Sequence, residues 1–151
     1  MVLTYENVAF ERVVQGVERL LETEFGSSVV VQRASQFKGL GRKSKGIRIW
    51  PLGAIGVSRL AGAVADDYVI AIVVTVEKTR SVGHDQERLK LAARVKRVLE
   101  NNTQYSTGGN YQWHSGKVET QDFEWTSDNE DENALRPIYM EFQVTVMEMG
   151  L

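Results

Sequence analysis

The strongest constraint in the sequence is residues 68–78 (YVIAIVVTVEK), which put apolar side chains on both faces of any strand they form. Tyr68, Ile70, Ile72, Val74 and Val76 fall on one face, and Val69, Ala71 and Val73 on the other. A strand that is apolar on both faces belongs in the middle of a sheet. Residues 136–149 (RPIYMEFQVTVMEM) supply another long strand. Ile138, Met140, Phe142, Val144 and Val146 alternate there with Tyr139, Glu141, Gln143 and Thr145, so one face packs while the other is wetted or meets a partner.

Two stretches carry the period of a helix and can cover such a sheet. In residues 4–25, Val13, Val14, Val17, Leu20, Leu21 and Phe25 form a stripe at steps of three and four. Thr4 is placed to cap this helix and Gly26 to stop it, and Gly16 inside it costs about 1 kcal/mol relative to alanine. In residues 85–101 the stripe is Leu91, Ala92, Val95, Val98 and Leu99. Asp85 can cap this second helix, Glu87 suits its first turn, and Lys96 and Arg97 lie toward its C-terminal end.

Short β-branched runs at 29–32 and 47–50 read as strands, the second ended by Pro51. Residues 52–67 place Gly53, Gly56 and Gly62 among small apolar residues without a period, which reads as a partly packed loop. Residues 101–112 read as a polar loop, and 113–125 as a strand or bent hairpin interrupted near Gly116, with Phe123 and Trp125 on one face. The predicted fold is α+β: a mainly antiparallel β-sheet packed by two amphipathic helices, in a single domain over residues 1–151.

The net charge is only -2, but the charges are segregated along the chain. Between Phe25 and Ala65 there are seven basic residues (Arg33, Lys38, Arg42, Lys43, Lys45, Arg48, Arg59) and no acidic one. From Glu119 to Glu148 there are nine acidic residues and a single basic one, Arg136. Such segregation gives a positive and a negative region wherever the fold keeps them apart, although both also read as solvated loops. Residues 35–46 (SQFKGLGRKSKG), rich in Gly, Lys and Ser, read as a mobile connection between two strands.

Chemistry finds little to use. His84 and His114 have no second histidine or acid at a ligand spacing, so no metal and no cofactor are expected. The Gly41-Arg42-Lys43-Ser44 stretch lacks the Gly-Lys-Ser/Thr order of a phosphate-binding loop. The acidic run 128–132 alternates carboxylates as a calcium loop does, but has neither the glycine at its sixth position nor the later bidentate glutamate. With no nucleophile elbow and no distinguishable acid–base pair, the sequence does not read as an enzyme. The chain has no cysteine, which fits a reducing compartment, and neither a signal segment nor an apolar run of about 20 residues is present, so no membrane partner is expected.

A nucleic-acid-binding module is an alternative. Lys38, Arg42, Lys43 and Lys45 can neutralise phosphates, with Arg33 and Arg48 beside them and Phe37 and Trp50 available for stacking. Against it stands the acidic character of the whole chain, with a pI near 5.7.

The order of these elements resembles the bacteriophage tail-terminator proteins and related neck or head-tail joining proteins. The resemblance rests on an N-terminal helix like residues 8–21, a strand like 68–77 turning into a helix like 87–99, and a last strand opening Arg136-Pro137-Ile138-Tyr139. It implies a small α+β virion subunit, assembled in the host cytoplasm, that forms a homo-oligomeric ring, usually a hexamer. The ring would sit at the head-proximal end of the tail, stop tail-tube polymerisation and join the tail to the neck. The family offers no catalytic residues. Its implied partners are copies of itself, a tail tube or sheath protein and a neck or connector protein, with DNA possible in the lumen. On this reading Lys38, Arg42, Lys43 and Lys45 bind the partner. Asp128, Glu130, Asp131 and Glu132 form the acidic side of the ring contact, because a basic and an acidic patch complement each other in a head-to-tail interface.

Overall fold

The apolar run at 68–78 forms part of a strand, Ala63–Glu77, that is hydrogen-bonded along both edges and organises the chain. The computed structural model describes residues 9–33, 45–60, 63–77, 84–108, 111–123 and 135–149. In chain order these form a π-helical segment (Ala9–Val14), α1 (Gln15–Phe25), β1 (Val30–Arg33), β2 (Lys45–Leu60), β3 (Ala63–Glu77), α2 (His84–Asn101), β4 (Ser106–Gly108), β5 (Tyr111–Phe123) and β6 (Leu135–Met149). The fold is α+β. One six-stranded sheet has the order β1-β2-β3-β6-β5-β4, antiparallel throughout except for the parallel β1–β2 pair.

Both helices pack on the same face of the sheet. Val13, Val14, Val17 and Leu21 from the first helical stretch and Leu91, Ala92, Val95 and Leu99 from α2 are buried. They meet Ile47 and Ile49 of β2, Ile70, Ile72, Val74 and Val76 of β3, Trp113 and Val118 of β5, and the predicted inward row of β6. Large aliphatic or aromatic side chains buried this way each contribute about 1.5–3 kcal/mol. Trp113 is fully buried. Its ring lies 5.5 Å from Phe142 and 5.3 Å from Tyr105, and its indole N–H donates to the carbonyl of Arg12 at 2.9 Å, tying β5 to the π-helical segment.

The first helix opens as a π-helical segment in place of a regular α-helical turn, and the proposed cap Thr4 lies outside the described residues. Its stop is Gly26, at φ +58°, whose N–H donates to the carbonyl of Glu22 at 2.8 Å. A left-handed residue at this position favours glycine. α2 begins at His84, so Asp85 falls inside its first turn rather than before it. Its buried face also starts one turn earlier than the aliphatic stripe suggests, with Arg88 fully buried at the head of the row Leu91, Ala92, Val95 and Leu99.

Two loop expectations are corrected. Residues 52–67 are not a loop. β2 continues through Pro51 to Leu60 and forms a long hairpin with β3. Bulges between Pro51 and Gly53 and between Ile55 and Val57 each shift the phase of side-chain alternation by one residue, which erases the period a strand ordinarily shows. Pro51 is tolerated because β1 pairs with β2 only as far as Ile49, so the proline stands where β2 has become an edge. Pro137 sits likewise just beyond the last β5–β6 pair, Phe123 with Ile138. Residues 101–112, read as a polar loop, contain β4 and the start of β5.

Gly116 itself lies within β5, and the interruption expected near it is a bulge between Trp113 and Ser115. Gly116 pairs with Val144, and a Cβ built there would stand 2.8 Å from the ring of Phe142. The glycine makes room for that ring. Gly116→Val is therefore expected to cost about 1–3 kcal/mol in urea unfolding through overpacking. Gly53→Ala, with nothing within 4 Å of the added carbon, should stay within about 1 kcal/mol of the parent. Equal stabilities for the two variants would contradict this packing.

Candidate functional site

Sheet order converts charge segregation along the chain into segregation in space. Arg33 on β1 and Lys45 and Arg48 on β2 occupy one flank of the sheet, whereas Glu119 on β5 and Glu141 and Glu148 on β6 occupy the other. β2 and β5 are three strand spacings apart, roughly 14 Å. Lys38, Arg42 and Lys43 lie outside the described residues, as do Asp128, Glu130, Asp131 and Glu132. Their attachment points are nevertheless described. The basic segment enters β2 at Lys45, which pairs with Val76, and Val76 in turn pairs with Arg136 near the start of β6. The acidic segment joins Phe123 of β5 to Leu135 of β6. Both segments are thus tethered at the same end of the sheet, on opposite flanks.

On the acidic flank Glu119 and Glu141 stand directly opposite each other across the β5–β6 pair, an arrangement that costs stability by itself. Lys117 Nζ at 3.0 Å from Glu119 and the Tyr139 hydroxyl, donating to Glu141 at 3.1 Å, offset the repulsion. The shared carboxylate contact and burial together raise the tyrosine pKa above its ordinary value, burial first. The face that holds these groups carries no helix among the described residues. Val69, Ala71, Val73 and Thr75 of β3 are buried there all the same. Trp50 of β2 is paired with Ala71, Tyr139 of β6 with Val73, and the two rings approach to 6.4 Å between centroids across the central strand.

On the basic flank the cations are held by α1 and α2. Arg33 Nε lies 3.3 Å from Glu18 of α1, and burial pushes the Glu18 carboxyl above its ordinary range despite the attraction of Arg33. Lys45 is not at the tip of a loop. It begins β2 and donates to Glu87 of α2 at 3.0 Å. This contact borders a groove of about 520 Å³ lined by Phe25, Ser28, Val29, Lys45, Glu87, Lys90, Leu91 and Arg94. Arg94 donates to Glu24 at 2.9 Å and stacks 4.7 Å above the Phe25 ring. Of the residues in this groove, sequence reading gave a partner-binding role to Lys45 alone. The spacing of Glu87, Lys90 and Arg94 on α2, three and then four residues apart, does put them on one helix face and was the available signal.

His114 is exposed on β5, and His84 is the first residue of α2. Among the described residues no three His, Cys, Asp or Glu side chains gather as a metal site would require, and no helix is long and apolar enough to cross a membrane. Comparison with protein-family models and with curated proteins finds no match to this chain.

The Lys45–Glu87 contact has a pH signature. The hydrogen bond and charge of Lys45 hold the Glu87 carboxyl below its ordinary range, with Lys90 adding to the effect. Because the folded value is lowered, whatever the pair contributes is present above the ordinary glutamate pKa and is lost as pH falls through the folded one. Carboxyl NMR should show Glu87 titrating below an exposed glutamate, and Lys45→Met should move its midpoint upward. An unchanged midpoint in that variant would rule the contact out in solution.

Proposed function

We propose that this chain is a structural virion subunit that forms a ring at the head-proximal end of a phage tail, stops tail-tube polymerisation and joins the tail to the neck. One observation carries the reading: a basic and an acidic segment are tethered at the same end of one sheet on opposite flanks. Two different patches on opposite sides of a subunit favour a head-to-tail contact, and repeated rotation by a fixed angle closes such contacts into a ring. A two-fold dimer closes on one self-complementary contact and stops at two subunits, whereas the head-to-tail contact sets each patch against a different neighbour. The order of helix, strands, hairpin, helix and strands also follows the order on which the resemblance to tail terminators and other head-tail connectors rests.

Native mass spectrometry of the full chain at about 0.1 M and 1 M salt, where the screening length falls from roughly 10 to 3 Å, tests the reading. The expected outcome is one closed stoichiometry, a hexamer, at the lower salt and smaller species at the higher. A chain that is monomeric in both conditions, and also in the presence of tail tubes, would overturn it.

A further inference from the structure

The groove between the end of α1, the start of β2 and α2 has the composition of a peptide-binding site rather than of a structural gap. Its floor is apolar, with Phe25, Val29 and Leu91, and its rim holds the cations Lys45, Lys90 and Arg94 against two carboxylates, Glu87 in the lining and Glu24 beside Arg94. Arg94 is presented in a fixed orientation by its stacking on Phe25 and its bond to Glu24. Such a surface favours a short acidic segment that also brings small or apolar side chains.

We infer that this groove receives the acidic segment 127–134 (SDNEDENA) of a second copy of the chain. The inference rests on the ring reading and names where its contact is made. Charge complementarity is the first argument, since the segment places four carboxylates, Asp128, Glu130, Asp131 and Glu132, within five residues. Placement is the second. The groove opens beside Lys45 at the end of the sheet where the acidic segment is also tethered, but on the other flank. A neighbour related by rotation therefore offers its acidic flank to this groove. Glu87 and Glu24 occupy the cations in the isolated subunit, and the incoming carboxylates take their place. Exchanging one exposed ion pair for another costs little in folding free energy, so the contact forms without unfolding any part of the subunit.

Two variants act in opposite directions on this contact. Lys90→Glu puts a negative charge at the centre of the rim and should weaken subunit association about tenfold or more. Glu87→Gln removes the internal competitor for Lys45 and should strengthen association, whereas a purely structural Lys45–Glu87 pair would leave it unchanged or weaken it. Carbodiimide cross-linking of mixed light and heavy-isotope copies reads the contact directly. The expected product joins Lys90 of one isotope to residue 130, 131 or 132 of the other, and Glu130→Lys with Asp131→Lys should restore association of the Lys90→Glu chain. Rings that form without this cross-link and are indifferent to Lys90→Glu would overturn the groove assignment and leave the ring reading standing. A chain that stays monomeric under every condition would overturn both. Loss of duplex DNA retention in Lys90→Glu with unchanged association would show the groove to be a nucleic-acid site instead.

Discussion

Everything in this fold depends on β3 being enclosed on four sides. Its two edges are taken by β2 and β6 over nearly their whole lengths, from Lys45 with Val76 to Leu60 with Ala63, and from Glu77 with Leu135 to Ala63 with Met149. Both helices seal one of its faces over Ile70, Ile72, Val74 and Val76. On the other face β3 carries only small side chains at Val69, Ala71, Val73 and Thr75, which lie low enough for the larger Trp50 and Tyr139 of the neighbouring strands to lean over them. The central strand thereby sets the size of its neighbours. It also keeps β1 and β2 apart from β5 and β6, and with them Arg33, Lys45 and Arg48 from Glu119, Glu141 and Glu148.

Where burial alternates with a fixed period, the structure was legible in the sequence. The inward row of β6 from Ile138 to Val146 and the stripe of α2 from Leu91 to Leu99 are buried as the spacing requires, and Gly26 ends α1 in the left-handed conformation that favours glycine. The hairpin beyond Pro51 was not legible, because two bulges break its alternation and its pairing comes from backbone groups that leave no mark on side-chain pattern. Gly116 was legible in part: the irregularity expected near it is the bulge between Trp113 and Ser115, but the role of the glycine itself was not visible. A strand glycine signals either a break or a close approach, and only the position of Phe142 decides between them. Arg88 was hidden because an arginine at the head of an amphipathic helix ordinarily faces water.

The candidate site was half legible. Segregated charge is a property of sequence, and it gave the two patches. Their spatial relation follows from strand order, which depends on β6 inserting between β3 and β5 rather than adding at an edge. That insertion puts the attachment points of the acidic and the basic segment, Phe123 and Lys45, at one end of the sheet with β3 and β6 between them. Lys45 itself belongs to a different setting from the one its neighbours in sequence suggested: it is the edge of a groove shared with α2, paired with Glu87, and the cations that complete that groove come from a helix 45 or more residues later in the chain, at Lys90 and Arg94. Contacts of that kind have no signature in local composition.

The proposed ring makes a demand that few other arrangements share, namely that each subunit use both patches at once and in one direction. A mixing experiment measures this. One variant reverses the basic residues Lys38, Arg42, Lys43 and Lys45, and a second reverses the acidic residues Asp128, Glu130, Asp131 and Glu132. Each alone presents like charges at every contact and should remain unassembled, while an equimolar mixture restores complementary charge at every contact and should assemble into rings with an even number of subunits, the two variants alternating. Assembly of either variant alone to the parent stoichiometry, or failure of the folded mixture to assemble at all, would contradict the account.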